Sequence, residues 1–262
     1  MNYPKKSLGQ NFLIDKNIIR KIINLVNIRN KDIVEIGPGK GALTNEILKK
    51  KPNSLILIEK DNNFFNELKD SYLKNKHVSI FNNDILKFDL EKIIKKDSIV
   101  FGNLPYNISS QILVKILKFK KWPPKFNDLI FMFQKELGEK IIGKFLSPHY
   151  SRLSILSNYR LKIIEKILVS KNCFIPKPKV NSIILHFQPK KNKLYNIKRL
   201  SNLEKVTNII FSNKRKMINK NIKKLLNDQQ IKEIFNLKLN LRPADIKPDI
   251  YYKIAELFEK GY

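Results

Sequence analysis

Residues 32–41 read Asp32-Ile33-Val34-Glu35-Ile36-Gly37-Pro38-Gly39-Lys40-Gly41, a short apolar run ending in three glycines at alternate positions. The run is too short for a helix and is rich in β-branched residues, so it reads as a buried strand. Glycines at Gly37 and Gly39 let the backbone turn tightly and let a ligand approach without a Cβ in the way. A helix carrying Leu43, Ile47 and Leu48 follows. Strand, glycine turn and helix form the opening unit of an open α/β sheet, whose ligands sit at the carboxyl ends of the strands. The spacing is Gly-x-Gly-x-Gly after an acidic residue, not the Gly-x-Gly-x-x-Gly of dinucleotide sites. It favours S-adenosylmethionine, which has no pyrophosphate to seat on a helix N-terminus.

The same alternation continues on the C-terminal side. Leu55–Ile58, Val78–Phe81, Ile99–Phe101 and Leu129–Phe133 are further short apolar runs, and a helix with Phe64, Phe65 and Leu68 lies between two of them. This predicts an α/β fold with a parallel sheet covered on both faces. Val180–Phe187 is another strand candidate, closed by Pro189. On the N-terminal side, Asp15 is placed to cap a helix whose apolar positions Ile18, Ile19, Ile22, Ile23 and Val26 recur at helical steps, while residues 5–14 follow neither period and read as an ordered loop.

After Pro189 the polar stretch Lys190-Lys191-Asn192-Lys193 leads into sequence that is helical and nearly free of β-branched runs. This predicts a domain over 1–189 and a small all-α domain over 190–262. One helix there carries Val206, Ile209, Ile210 and Phe211, and another is expected from Lys214 to Leu226.

The chain has 262 residues, 42% of them hydrophobic, enough for a real core. It carries 52 Lys and Arg against 23 Asp and Glu, a formal charge of +29. A lysine-rich compositional bias explains part of that excess. The scarcity of acids points further, to a polyanion such as nucleic acid, with a basic membrane-surface helix as the other candidate. No apolar run reaches the roughly 18 residues of a spanning helix, so the chain is expected to be soluble and cytoplasmic. Cys173 is the single cysteine and His77, His149 and His186 are scattered, so neither an internal disulfide nor a metal site is expected. Lys214, Arg215, Lys216 and Lys220 read either as a solvated face or as phosphate contacts.

Two acidic residues stand at strand ends. Glu59 closes the second strand, where a carboxylate can accept from both hydroxyls of a ribose. Asp84, after the third strand, can accept from an adenine amino group.

The segment after the fourth strand reads Phe101-Gly102-Asn103-Leu104-Pro105-Tyr106-Asn107-Ile108-Ser109. Its Asn-Leu-Pro-Tyr core resembles the active-site motif of amino-group methyltransferases that act on adenine. With Gly9-Gln10-Asn11-Phe12-Leu13, Tyr150-Ser151-Arg152-Leu153-Ser154, Phe174-Ile175-Pro176-Lys177-Pro178-Lys179-Val180-Asn181-Ser182 and Asn213-Lys214-Arg215-Lys216, the chain resembles the ribosomal RNA adenine dimethylase family over nearly its whole length. Within that family it is most similar to the small-subunit branch.

The resemblance implies a Rossmann-like S-adenosylmethionine-dependent methyltransferase domain with a small C-terminal helical domain. The implied reaction is dimethylation at N6 of two adjacent adenosines near the 3′ end of small-subunit rRNA, by a monomer acting on a pre-30S particle. It places the cofactor at Asn11, Leu13, Gly37, Gly39, Glu59, Asp84 and Asn103. It assigns catalysis to Asn103, Leu104, Pro105 and Tyr106, with Phe174 as the opposite face of a base clamp, and RNA contacts to Arg152, Lys179, Lys214, Arg215, Lys216 and Lys220. Gln10 is expected to order the N-terminal loop.

Ser151 stands where the family commonly has Gly, and Lys40 where an apolar residue is common. A resistance-type methylase of large-subunit rRNA and an assembly factor with secondary catalysis remain alternatives. A DNA adenine methylase would share only the Asn-Leu-Pro-Tyr type of motif.

Overall fold

The central apolar runs, at Asp32–Ile36 and Ser98–Asn103, become strands buried on both faces, which only a sheet covered by helices allows, while the run at Val78–Asn82 lies at the sheet's edge and is only partly buried. The structure, a computed structural model, describes residues 10–191 and 195–261; Gly9, the rest of the 5–9 stretch and Asn192-Lys193 of the expected linker lie outside the described residues. The described elements run β1 (Phe12–Leu13), α1 (Lys16–Ile23), β2 (Asp32–Ile36), α2 (Ala42–Lys49), β3 (Ser54–Glu59), α3 (Asn62–Tyr72), β4 (Val78–Asn82), α4 (Leu90–Ile93), β5 (Ser98–Asn103), α5 (Ser109–Leu117) and β6 (Phe126–Gln134). They continue α6 (Lys135–Ile142), α7 (Arg152–Arg160), β7 (Leu161–Val169), β8 (Phe174–Ile175), β9 (Ser182–Pro189), α8 (Leu200–Phe211), α9 (Asn219–Ile222), α10 (Asp228–Lys232) and α11 (Pro248–Lys260).

The chain divides into two units: one of residues up to Ile116 with Pro123–Gly138 and Lys162–Pro189, the other of Leu117–Trp122, Glu139–Leu161 and the chain from Lys190 on. A linear division at 189/190 therefore differs from this grouping in two earlier segments. Arg160 accounts for part of the difference. Its guanidinium, 2% exposed, donates to the carbonyls of Leu117 at 2.5 Å and Phe119 at 2.8 Å and lies 4.5 Å from the Trp122 ring centroid. A buried cation needs such partners, so it gathers 117–122 around α7.

In the first unit a seven-stranded sheet has the order β4-β3-β2-β5-β6-β9-β7. The first five are mutually parallel, and β9 runs antiparallel to β6 with Leu129 opposite Phe187 and Gln134 opposite Ser182. Chain order reverses on either side of β2, so the crevice for a ligand lies beyond the carboxyl ends of β2 and β5. Ile33, Val100, Phe101, Leu55 and Leu57 are almost fully buried, each contributing about 1.5–3 kcal/mol relative to exposure. Asp15 caps α1 as its sequence suggests, accepting from Asn17 and Ile18 N–H. Strand β7 had no expectation attached: Lys162, Glu165 and Lys166 interrupt its apolar residues, as suits a strand at a sheet edge.

In the second unit α8 buries Leu203, Val206 and Ile210, and α11 buries Tyr251, Ile254, Ala255, Leu257 and Phe258. The Phe211 and Tyr251 rings stack at 5.6 Å. The expected helix from Lys214 to Leu226 is corrected. The Ile218 N–H is spent on the Leu241 carbonyl at 3.0 Å, so a helix, α9, forms only after it, and Lys214 to Lys216 lie in a turn. Ile218, Ile222, Leu225 and Leu226 are nonetheless buried, so the apolar spacing reported a buried face without a continuous helix.

Candidate active site

At the carboxyl ends of β2, β3, β4 and β5 the first unit holds a cavity of about 690 Å³. Asn11, Leu13, Gly37, Gly39, Glu59, Asp84 and Asn103 to Tyr106 all line it. These residues come from separate stretches of sequence, brought together by the order of the strands and by the packing of the N-terminal segment on the glycine turn.

The glycine turn has a backbone only glycine adopts easily, with φ +67° at Gly37 and +55° at Gly39. A Cβ on Gly39 would lie 3.0 Å from the Phe12 ring, so the N-terminal segment packs directly on the turn. Phe12 is held edge-on against Phe64 at 5.2 Å, with Lys40 Nζ 5.1 Å from its centroid. Gln10 donates to Asp61, the cap of α3, at 3.2 Å. Residues 10–13 are therefore more than a loop: β1 pairs antiparallel with β8, Phe12 opposite Ile175 and Leu13 opposite Phe174.

Glu59 is 7% exposed. Its Oε2 accepts from Gly39 N–H at 3.0 Å and its Oε1 from Asp61 N–H at 2.8 Å, which ties the end of β3 to the glycine turn. Burial pushes its carboxyl above the usual range against those two donors. Asp84 is half-buried, and its Oδ2 pairs with Lys60 Nζ at 2.9 Å, which holds its carboxyl below the usual range. Glu35, fully buried at the end of β2, is pushed up to about 8 by desolvation, opposed by the Thr44 hydroxyl donating to it at 2.7 Å.

Asn103 ends β5 beside the glycine turn: a Cβ on Gly37 would stand 3.8 Å from its carbonyl and 4.0 Å from Pro105 Cδ, with room to spare on its other sides. Its Nδ2 donates to the Asn11 carbonyl at 3.2 Å, and among the described residues nothing donates to its Oδ1. The Pro105 carbonyl accepts from Ile108 N–H at 3.2 Å, which leaves the Leu104 carbonyl as the freer acceptor. Tyr106 is half-buried, and its hydroxyl shares a 2.6 Å hydrogen bond with Ser182 of β9.

Phe174 requires a correction. The expectation put it in a loop facing the pocket; it is 2% exposed, packed in the core with Leu13, Ile19 and Val169, and does not line the cavity. Strand alternation is the reason, since β8 turns Phe174 inward and Ile175, 58% exposed, outward. Lys179 is exposed in the first unit; Lys214, Arg215, Lys216 and Lys220 are exposed in the second. Arg152, at the start of α7, is half-buried, and among the described residues its Nε has no hydrogen-bond partner. The sequence reading missed Lys60, Lys115 and Ser182, whose partners lie far along the chain; only Ser182 stood inside a recognised motif. Among the described residues no cluster of His, Cys, Asp and Glu suits a metal ion, and no helix is long and apolar enough to cross a membrane.

Comparison with known proteins agrees with the geometry. Residues 1–260 match the family model described as ribosomal RNA adenine dimethylase. A protein named ribosomal RNA small subunit methyltransferase A from Pelagibacter ubique (strain HTCC1062) is 44% identical over 259 residues, covering 97% of each chain. One of the same name from Mycoplasma mobile is 38% identical over 253 residues, covering 94% of this chain and 95% of the relative. A solved structure of a dimethyladenosine transferase from Plasmodium falciparum superposes with a TM-score of 0.75 at 25% identity, covering 95% of this chain and 98% of that one. The chain belongs to the ribosomal RNA adenine dimethylase family.

Proposed function

We propose that the protein transfers methyl groups from S-adenosylmethionine to the exocyclic N6 of adenines in small-subunit rRNA, giving dimethyladenosine. In the finer reading, it acts as a cytoplasmic monomer on two adjacent adenosines near the 3′ end, within a pre-30S particle. The observation that carries the chemistry is the Asn103 amide, fixed by its bond to Asn11 with Oδ1 left as an acceptor on the cavity wall beside the glycine turn. Family membership and relatives named for small-subunit methylation favour this substrate over a large-subunit one.

The cavity residues fit the cofactor. Gly37 offers room where a side chain would intrude, Glu59 presents a carboxylate on the cavity wall for the ribose, and Asp84 presents one for an adenine amine. When bound, the cofactor supplies an electrophilic methyl group on a sulfonium. Asn11 and Leu13, fastened by β1, close the cavity from the N-terminal side.

An exocyclic adenine amine is a poor nucleophile because its lone pair is delocalised into the ring. Asn103 Oδ1 and the Leu104 carbonyl accept its two N–H groups, favour a tetrahedral nitrogen and aim the lone pair into the cavity. Pro105 fixes the turn that presents both acceptors, and Tyr106 stacks on a base extruded from its RNA neighbours. No residue has to remove a proton beforehand, because the alkylated nitrogen is acidic and releases its proton to water. Arg152, Lys179, Lys214, Arg215, Lys216 and Lys220 contact phosphates.

Mapping methylated adenines on small-subunit particles incubated with the protein and labelled cofactor tests the proposal. Label confined to two adjacent adenines of small-subunit rRNA is expected; label on large-subunit rRNA, or none, would refute it.

A further inference from the structure

Asp84 opens a loop, residues 84–88, that is bonded within itself. Its Oδ1 accepts from Leu86 N–H at 2.9 Å, and its carbonyl accepts from the N–H groups of Lys87 and Phe88, both at 2.9 Å. Ile85 is buried and the Phe88 ring meets Phe81 at 5.3 Å. These contacts shape the loop and hold Oδ1 of the carboxylate, and they leave Oδ2 to other elements.

Two lysines act on the loop from outside it, one on Oδ2 and one on the backbone. Lys60, just past the end of β3, places Nζ 2.9 Å from Asp84 Oδ2. Lys115 reaches from α5 and donates to the carbonyls of Leu86 at 2.8 Å and Phe88 at 2.7 Å. The Lys115 ammonium is half-buried and desolvation holds it below its usual range, so moving the loop away would strand a partly dehydrated charge. Helix α5 begins at Ser109, whose hydroxyl donates to the Tyr106 carbonyl at 3.2 Å. Lys115 thus fastens the Asp84 loop to the element that follows the Asn103–Tyr106 segment.

We propose that Lys60 and Lys115 are positioning residues for Asp84, one aiming its carboxylate and the other fixing the loop beneath it, and that together they set the cavity's preference for a purine bearing an exocyclic amine. The inference rests on the reading of Asp84 as the acceptor of the cofactor's adenine amine. A carboxylate held in place gains a charge-assisted bond from that amine and loses it when the amine is missing; one that drifts discriminates less.

The test compares two ligands by calorimetry: S-adenosylhomocysteine and its counterpart carrying hydrogen in place of the exocyclic amine. They are titrated into the full chain and into Asp84→Asn, Lys60→Met and Lys115→Met, with circular dichroism to check folding. The unaltered protein should prefer the amine roughly 10- to 100-fold, the range for a hydrogen bond to a charged group, and Asp84→Asn should lose most of that preference. Each lysine variant should lose about fivefold of it, a part of the same bond. An unchanged preference in either lysine variant, with Asp84→Asn reduced, overturns the proposal and leaves the Asp84 reading standing. An unchanged preference in Asp84→Asn overturns both. Lys60 is exposed, so its variant decides the matter should Lys115→Met fail to fold.

Discussion

The two walls of the cavity use opposite chemistry. On the wall proposed to hold the cofactor stand carboxylates, Glu59 and Asp84, tied down by backbone N–H groups and a lysine. On the wall proposed to face the target base, at Asn103 and Leu104, the acceptors are neutral. An ionised acceptor binds a hydroxyl or amine strongly, which suits a ligand that must be held. A neutral acceptor orients an amine without taking its proton, which suits a nitrogen that must keep its lone pair for attack. The walls should therefore fail differently when altered.

The largest effect is expected at Asn103. Asn103→Ala removes one acceptor from the target amine, and by analogy with loss of one oxyanion-hole donor the single-turnover methylation rate should fall roughly 100- to 1,000-fold. On the opposite wall, Glu59→Ala should weaken cofactor binding by about 1.5–3 kcal/mol, measured by calorimetry, the range for hydrogen bonds to a charged group. Replacing Lys214, Arg215, Lys216 and Lys220 with Ala should leave cofactor affinity alone and flatten the salt dependence of RNA binding by about one unit for each phosphate no longer neutralised. An unaltered slope would make them a solvated face.

Ser182→Ala frees the Tyr106 hydroxyl, and the ratio of dimethyl to monomethyl product should fall several-fold, by about the 0.5–1.5 kcal/mol of one neutral hydrogen bond. The second transfer is the sensitive one because a monomethylated amine has one N–H left to orient it. Glu35 is read in stability rather than in binding or turnover. With its carboxyl raised to about 8 in the fold, the folded chain binds a proton that the unfolded chain has released, so stability declines as pH rises from the unfolded range near 4.5 toward 8. Glu35→Gln should remove that decline, at most about 1.4 kcal/mol per pH unit, in denaturant titrations across that window.

The strands from β2 to β6 were legible because each is a short apolar run between turns, and the cavity was legible because glycines and acids stand at the ends of those runs. Phe174 was misplaced because a two-residue strand has too little sequence to show which way it alternates. Strand β7 escaped because its solvent-facing lysines hide the pattern. Lys115 had no local signal: the carbonyls it binds lie 27 and 29 positions earlier. The broken helix after Asn213 was overridden by one long-range bond, from Ile218 to Leu241.

The division of labour between the walls is tested most directly by measuring two quantities on Asn103→Ala and Glu59→Ala side by side: cofactor affinity, and the single-turnover rate on small-subunit particles at saturating cofactor. Asn103→Ala should keep most of its affinity and lose its rate, while Glu59→Ala should lose affinity and recover most of its rate at saturation. Loss of the same quantity in both variants, or near-normal dimethylation by Asn103→Ala, would contradict the account.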